Sequence, residues 1–323
     1  MKRFGPAVEV LQLETFELPP LAAGCLRVRV LAAPVNPADL NLLEGTYGVK
    51  PALPCVPGIE GCGEVLESRA DGWRPGTRVL FLSRVGTWRS HLDVEPAVVL
   101  ALPDGLDPLQ AAMLKVNPLT AWLLLTAVRT PAKGSWVVQN AANSGVGRCV
   151  VQLARELGLR TLNLVRRPEL AAELKALGAD AVAGDDEAAA ANLLDGTAGE
   201  RPTLAFNAVG GDSALRLMDV LAPGGVHVTY GAMSRRSLKV PNSFLIFKDL
   251  TLRGLWVSRW LEAAPREEVK ATYADLSRLV RSGGLVQAVD STFPLAEARA
   301  ACARAAEGGR AGKVLLTPAG SCA

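Results

Sequence analysis

The stretch SWVVQNAANSGVGRCVVQLARELG (135–158) restricts the fold more than any other part of the chain. Ser135 to Asn140 are short and β-branched in character, as a buried strand is. Glycines then turn the chain, and apolar residues recur at helical spacing until Gly158 stops the pattern. A strand, a glycine turn and a helix in that order aim backbone N–H groups and the positive end of a helix at one spot, where a pyrophosphate can sit. The glycine fingerprint is incomplete: Gly145 and Gly147 are present, but Asn143 stands where the first glycine of a GxGxxG is sought. A turn that needs glycine only for tight packing has the same local sequence, so the surroundings must decide.

The surroundings repeat the same unit. RTLNLVRR (160–167) reads as a second strand, and PELAAELKALG as a helix with proline at its start and Gly178 at its end. ADAVAG, TLAFNAVGG, GGVHVTYG and LTLRGLW add short apolar runs, separated by helical stretches such as alanine-rich 187–191 and SALRLMDVLAPGG. Strand alternating with helix in this way predicts a doubly wound parallel sheet. Before about Pro118 the texture differs. CLRVRVLAA, GCGEVLE and TRVLFL, with turn signals DGWRPG and GTWR, predict a small β-rich barrel. After Trp256 come two helical stretches and a last strand, GKVLLTP, a tail able to fold back onto the barrel. The expected division is 1–115 with 258–323 for the β-rich domain, and 116–257 for the parallel sheet.

Composition removes several function classes. The 323 residues are 49% hydrophobic and 21% charged, with a net charge of +3 and no basic run long enough to track a phosphate backbone, so nucleic-acid binding is not expected. The N-terminus carries Glu9, Glu14 and Glu17 where a signal peptide is apolar, and the most apolar stretch, AWLLLTAV at 121–128, is too short to span a bilayer. Six cysteines without CxxC spacing read as reduced thiols, which leads to a cytoplasmic expectation. With only His91 and His227 available, a zinc site is short of ligands.

The second strand ends on Arg166 and Arg167, where an NAD-binding domain places a carboxylate for the ribose 2′-OH. Paired guanidinium groups suit a 2′-phosphate, which favours NADPH.

The runs APVNPADLNLLEGTYG, PGIEGCGEV, GTWRSH, KVNPLTAW, NAANSGVG, LGAD, NAVGG, VTYGAM, FLIFKDLTLRGLW and GKVLLTP span almost the whole chain in order. Together they resemble the zinc-free medium-chain dehydrogenase/reductase superfamily, and within it the mitochondrial-type trans-2-enoyl thioester reductases. The resemblance implies an α/β protein, a GroES-like catalytic domain with a Rossmann nucleotide-binding domain. It also implies NADPH-dependent reduction of 2-enoyl-CoA or 2-enoyl-acyl-carrier-protein. It assigns the catalytic role to Tyr47 of the GxYG string. Cofactor contacts fall on Asn117, Asn143, Ser144, Gly145, Val146, Arg166, Arg167, Tyr230, Gly231, Ala232, Met233, Leu255, Trp256, Val257 and Lys313. A homodimer paired through sheet edges is implied as well. No metal is expected, since Ile59 of PGIEGCG replaces the histidine of the GHE motif found in many two-domain reductases.

The chemistry is consistent with that assignment. Hydride addition to the β-carbon of a conjugated thioester leaves enolate charge on the carbonyl oxygen, and a hydrogen-bond donor there stabilises it. A phenol ordinarily titrates near pH ~10 and so donates at neutrality. Gly45 and Gly48 read as the means of placing that phenol. PGIEGCGEV is nearer to quinone-oxidoreductase wording, and VNPLTAW departs from the reductase pattern at Leu119 and Trp122. An NADPH:quinone oxidoreductase and a catalytically silent NADPH-binding sensor or structural protein are the alternatives. Among other polar residues, Asn36 and Asp39 are expected to set loop geometry, and Trp88 and Arg89 either to touch substrate or to brace the barrel. Lys248 and Asp249 are expected to form an ion pair or helix end. Arg235, Arg236 and Lys239 are expected to be exposed loop charge, or a site for a CoA or phosphopantetheine phosphate.

Overall fold

In the computed structural model, which describes residues 1–318 (side chains of 190 and 191 apart), the opening stretch forms strand Trp136–Gln139 and helix Gly145–Glu156. Their unit runs from Asn117 to Trp260. Its six-stranded sheet has the order Thr251–Gly254, Val226–Thr229, Leu204–Asn207, Trp136–Gln139, Arg160–Val165, Ala181–Gly184, and every pair is parallel. Sequence order reverses between Trp136–Gln139 and Leu204–Asn207, which defines the switch point of a doubly wound sheet. Trp136–Gln139 and Leu204–Asn207 are buried at every residue, as strands covered on both faces by helices must be. Leu162, Leu164, Ala205, Leu217 and Met218 form the core beneath. Each such fully buried aliphatic side chain contributes on the order of 1.5–3 kcal/mol.

Lys248 ends a helix in this unit: its ammonium donates to the carbonyls of Met218 (2.9 Å) and Asp219 (2.5 Å), near the end of helix Gly211–Val220. A cation there offsets the helix dipole. Arg236 and Lys239 both face Asp212.

His227, in strand Val226–Thr229, is fully buried, and neither ring nitrogen has a hydrogen-bond partner among the described residues. Burial pushes its pKa down to about 4. The unfolded chain takes up this proton below about 6.5 while the folded chain resists, so the contribution to stability is full above pH ~6.5 and is lost as pH falls toward ~4. Roughly 2 kcal/mol is lost by pH ~5. Thermal unfolding of wild type and His227→Leu at pH 7 and 5 is expected to give a smaller acid-induced fall in melting temperature for the variant.

The second unit comprises Met1–Val116 and the chain from Leu261 onward. Its strands run in the order Val289–Phe293, Lys313–Leu316, Leu26–Pro34, Cys62–Ser68, Arg78–Phe81, Val99–Ala101, with His91–Val94 also paired to Leu26–Pro34. Pairing is antiparallel except between the two C-terminal strands. The tail strand thus joins the first part of the chain, burying Val28, Val30, Phe81, Val314 and Leu316 in one core.

One local expectation is corrected here and one open choice is decided. NPADLN is not a loop. It opens helix Pro37–Glu44, with Asn36 as N-cap and Asp39 closing a reciprocal capping box, and proline at the first helical position. Trp88 is 5% exposed and packs in the barrel core, its indole N–H pointing at the Pro34 carbonyl (3.4 Å), so it braces the barrel. Among the described cysteines Cys25, Cys55, Cys62, Cys149 and Cys302 are free thiols, and Cys322 lies outside the described residues. No helix in the described residues is long and apolar enough to cross a membrane.

Candidate active site

In the parallel-sheet unit, most of the residues expected to hold a cofactor follow the carboxyl ends of strands. Asn143–Val146 follow Trp136–Gln139, Arg166 and Arg167 follow Arg160–Val165, Tyr230–Met233 follow Val226–Thr229, and Leu255–Val257 follow Thr251–Gly254. The exception, Asn117, starts helix Asn117–Thr126 and is brought against the glycine turn. A Cβ on Gly145 would stand 2.5 Å from the Asn117 amide nitrogen.

The turn is built around helix Gly145–Glu156. Ser144 caps it, its hydroxyl accepting from the Gly147 N–H (3.1 Å), while the first amides of a helix have no acceptor of their own. Gly147 has no room for a side chain, since a Cβ would lie 2.6 Å and 2.7 Å from the carbonyl oxygens of Ala142 and Ala141. The left-handed residue of the turn is Ala141 (φ 47°), not Asn143, so the incomplete fingerprint hides its strained position two residues earlier than expected.

A hydrogen-bond network that sequence reasoning missed pins the strand ends. The Asn140 amide donates to Asn207 Oδ1 and Ser213 Oγ, both at 2.8 Å, and its oxygen accepts from the Ala208 N–H (2.8 Å). Asn207 Oδ1 also accepts from the Val209 and Gly210 amides. Ser213 donates onward to Asp185, which Arg216 grips. Buried asparagines at the ends of two adjacent strands were the available signal. Against this crest rests the loop 230–233, where Met233 N donates to Ala208 O (2.9 Å). Burial pushes the Tyr230 phenol well above its ordinary range, with the Ser144 side chain opposing. Arg166 and Arg167 are exposed, as are Ala232 and Met233.

These features fit a dinucleotide. The first turn of the capped helix leaves amides without an intrahelical acceptor, Asn117 closes on Gly145 beside them, and two exposed cations follow the second strand.

In the barrel unit, Tyr47 follows helix Pro37–Glu44. Gly45 ends that helix in the left-handed conformation (φ 74°), and a Cβ there would strike Phe4 at 2.9 Å. The Thr46 and Tyr47 amides both donate to Asn41 O. Gly48 has no positive φ and open space around it, so Gly45 alone carries the positioning expected of the pair. Tyr47 is half-buried, and Lys313 lies at the start of the last strand with its ammonium on Asn36 Oδ1 (2.6 Å).

Residues 22–102 match the alcohol dehydrogenase GroES-like domain family, and residues 145–278 match the zinc-binding dehydrogenase family. Rat mitochondrial enoyl-[acyl-carrier-protein] reductase is 40% identical over 301 residues, covering 90% of this chain and 80% of the relative. The chain belongs to the medium-chain dehydrogenase/reductase superfamily. Its fold is shared with the solved Etr1p/NADP/crotonyl-CoA complex (TM-score 0.89, 30% identity, 98% and 97% of the two chains). It is shared equally with a candidate NADPH:quinone reductase from Bacillus thuringiensis (TM-score 0.90, 30% identity, 98% and 96%).

This superfamily member is an oxidoreductase with a nicotinamide-dinucleotide site. The zinc in one family description is not matched by its residues. Among the described residues no three His, Cys, Asp or Glu side chains gather to hold a metal ion, and Ile59 is buried and apolar. The cytoplasmic expectation is corrected: the relatives this chain matches, the rat enzyme among them, are named as mitochondrial enzymes. Cysteines scattered without CxxC spacing do not separate one reducing compartment from another.

Proposed function

We propose that this chain reduces the 2,3 double bond of trans-2-enoyl thioesters with NADPH as reductant. The observation that carries the reading is the occurrence in one chain of a phenol on a glycine-capped helix end, Tyr47, and a dinucleotide crest flanked by Arg166 and Arg167. Support comes from a relative named for enoyl-acyl-carrier-protein reduction and a fold neighbour whose complex holds NADP and crotonyl-CoA. The bound cofactor supplies hydride to the β-carbon. Tyr47 donates a hydrogen bond to the thioester oxygen as charge builds there, and passes a proton to the α-carbon directly or through water. Asn143–Val146 and the loop 230–233 hold the dinucleotide, and the arginines take its 2′-phosphate. The setting in this reading is fatty-acid metabolism.

The likeness to the candidate quinone reductase favours a second reading, NADPH:quinone reduction. Steady-state rates with crotonyl-CoA, a longer 2-enoyl-CoA, an enoyl-acyl-carrier protein and a quinone, each with NADPH and NADH, separate the two. Enoyl turnover with NADPH is the expected result. Quinone turnover without enoyl turnover overturns it, and inactivity with all acceptors despite NADPH binding marks a silent binding protein.

We also propose a homodimer through the parallel sheet. Thr251–Gly254 is an edge strand, largely exposed, and Leu245, Ile246 and Phe247, in the segment leading to it, are 45%, 68% and 84% exposed. A bare strand edge beside an apolar patch suits a second copy of itself. Phe247→Asp is expected to shift the chain from dimer to monomer in sedimentation equilibrium, and an unchanged dimer sinks this interface.

A further inference from the structure

Strand Arg160–Val165 of the nucleotide unit ends beside a carboxylate as well as on two arginines. It pairs with strand Ala181–Gly184, Val165 standing opposite Gly184. The ladder continues one residue further, since the Asp185 N–H donates to the Val165 carbonyl (2.8 Å). Neighbouring strands lie ~4.8 Å apart, so Asp185 leaves the sheet beside Arg166. The turn after Arg167 keeps to the same corner: a Cβ on Gly184 would stand 3.7 Å from Pro168 Cγ.

By residue type alone this corner does not suit a 2′-phosphate. Asp185 and Asp186 follow the neighbouring strand directly across from the arginines. A carboxylate in such a place accepts from a ribose 2′-OH, as an NAD site requires, and repels a phosphate.

Both carboxylates are engaged elsewhere. Asp186 is exposed to water, and its Oδ1 accepts from the Ala189 N–H (2.9 Å) in the first turn of helix Glu187–Asn192. Asp185 is held more completely. Its Oδ2 accepts from the Ser213 hydroxyl (2.6 Å), and its Oδ1 lies 2.8 Å from both Nε and Nη2 of Arg216. Ser213 and Arg216 are three residues apart in helix Gly211–Val220 and so share one face. Asp212, one turn before Arg216, is occupied by Lys239 (3.0 Å) and Arg236 (3.9 Å), which leaves Arg216 to Asp185.

The Asp185 side chain is only 7% exposed. A charge so little hydrated is weakly screened, and removal of its partner leaves it uncompensated. With Arg216 in place the pair is neutral as a whole, and the field at this corner is that of Arg166 and Arg167. Without Arg216 a full negative charge stands beside them, within a Debye length of ~10 Å.

We propose that Arg216 sets the cofactor preference by withholding the Asp185 carboxylate from the ribose. It is a positioning residue, acting on the dinucleotide through the carboxylate that it neutralises. The inference rests on the reading of Arg166 and Arg167 as the 2′-phosphate site.

The test is a titration of the full-length chain with NADPH and with NADH, followed by nucleotide fluorescence. Arg216→Met is expected to raise the NADPH dissociation constant at least fivefold, while that for NADH falls or stays within about twofold of wild type. Arg216→Lys, which keeps the charge, is expected to hold both within about twofold. Asp185→Asn added to Arg216→Met is expected to bring NADPH back to within about twofold of wild type, because the charge that Arg216 balanced is gone. If Arg216→Met does not fold, Arg216→Gln carries the same expectations, since it keeps a donor for Asp185 and removes the charge. An unchanged NADPH constant in the folded variant overturns the inference. So does equal weakening of both nucleotides, or a failure of Asp185→Asn to restore NADPH, since each marks structural damage. A wild-type chain that binds NADPH no tighter than NADH removes the phosphate reading and this inference together, and leaves enoyl reduction to be judged on Tyr47 and the substrate panel.

Discussion

Tyr47→Phe is expected to lower kcat/KM for crotonyl-CoA at least tenfold while the NADPH dissociation constant stays within about twofold. Tenfold corresponds to about 1.4 kcal/mol of lost transition-state stabilisation, and removal of one donor from an oxyanion site typically costs roughly 10²- to 10³-fold, so the bound is conservative. The turn is held by the left-handed Gly45 and by the Thr46 and Tyr47 backbone amides on Asn41 O, all of which the variant keeps. The loss should appear in kcat as well as kcat/KM, since a donor to developing enolate charge acts mainly in the transition state. Quinone reduction has no thioester oxygen to stabilise. A variant with undiminished enoyl turnover therefore removes Tyr47 from the chemistry, and one slowed equally toward quinones marks a structural fault.

The parallel-sheet unit was legible because its signals are local. Strand Trp136–Gln139, the capped helix Gly145–Glu156 and the arginines after Arg160–Val165 all declare themselves in one short run of sequence. Helix Pro37–Glu44 is harder to see, because Asn36, Pro37 and Asp39 spell a capping box in residue types that also favour turns. The turn misled in another way. The expected glycine position was sought at Asn143, whereas the left-handed conformation falls on Ala141, a residue that gives no sign of it. The Asp185–Arg216 pair was invisible for a different reason. The two residues are 31 positions apart, so only the packing of helix Gly211–Val220 against the sheet brings them together. Their types alone argue for exposure.

Replacing Arg166 and Arg167 together by alanine is expected to raise the KM for NADPH at least tenfold and to leave that for NADH within about threefold, so the cofactor preference narrows or inverts. Both side chains are exposed, which discounts each contact, but a 2′-phosphate carries nearly two charges and a guanidinium pair can bind it through several N–H donors. About 1.4 kcal/mol from the two together suffices for the tenfold change, within the range for hydrogen bonds to charged groups. Raised salt should weaken NADPH binding to wild type more than to the double variant, because exposed charge pairs are screened. The alternative carboxylate for a ribose 2′-OH is Glu169, exposed in the turn Pro168–Leu170, whereas Asp185 is already taken by Ser213 and Arg216. If the double variant loses affinity for both cofactors alike, the arginines support the crest rather than read the phosphate. If it loses neither, the preference lies elsewhere in the nucleotide unit.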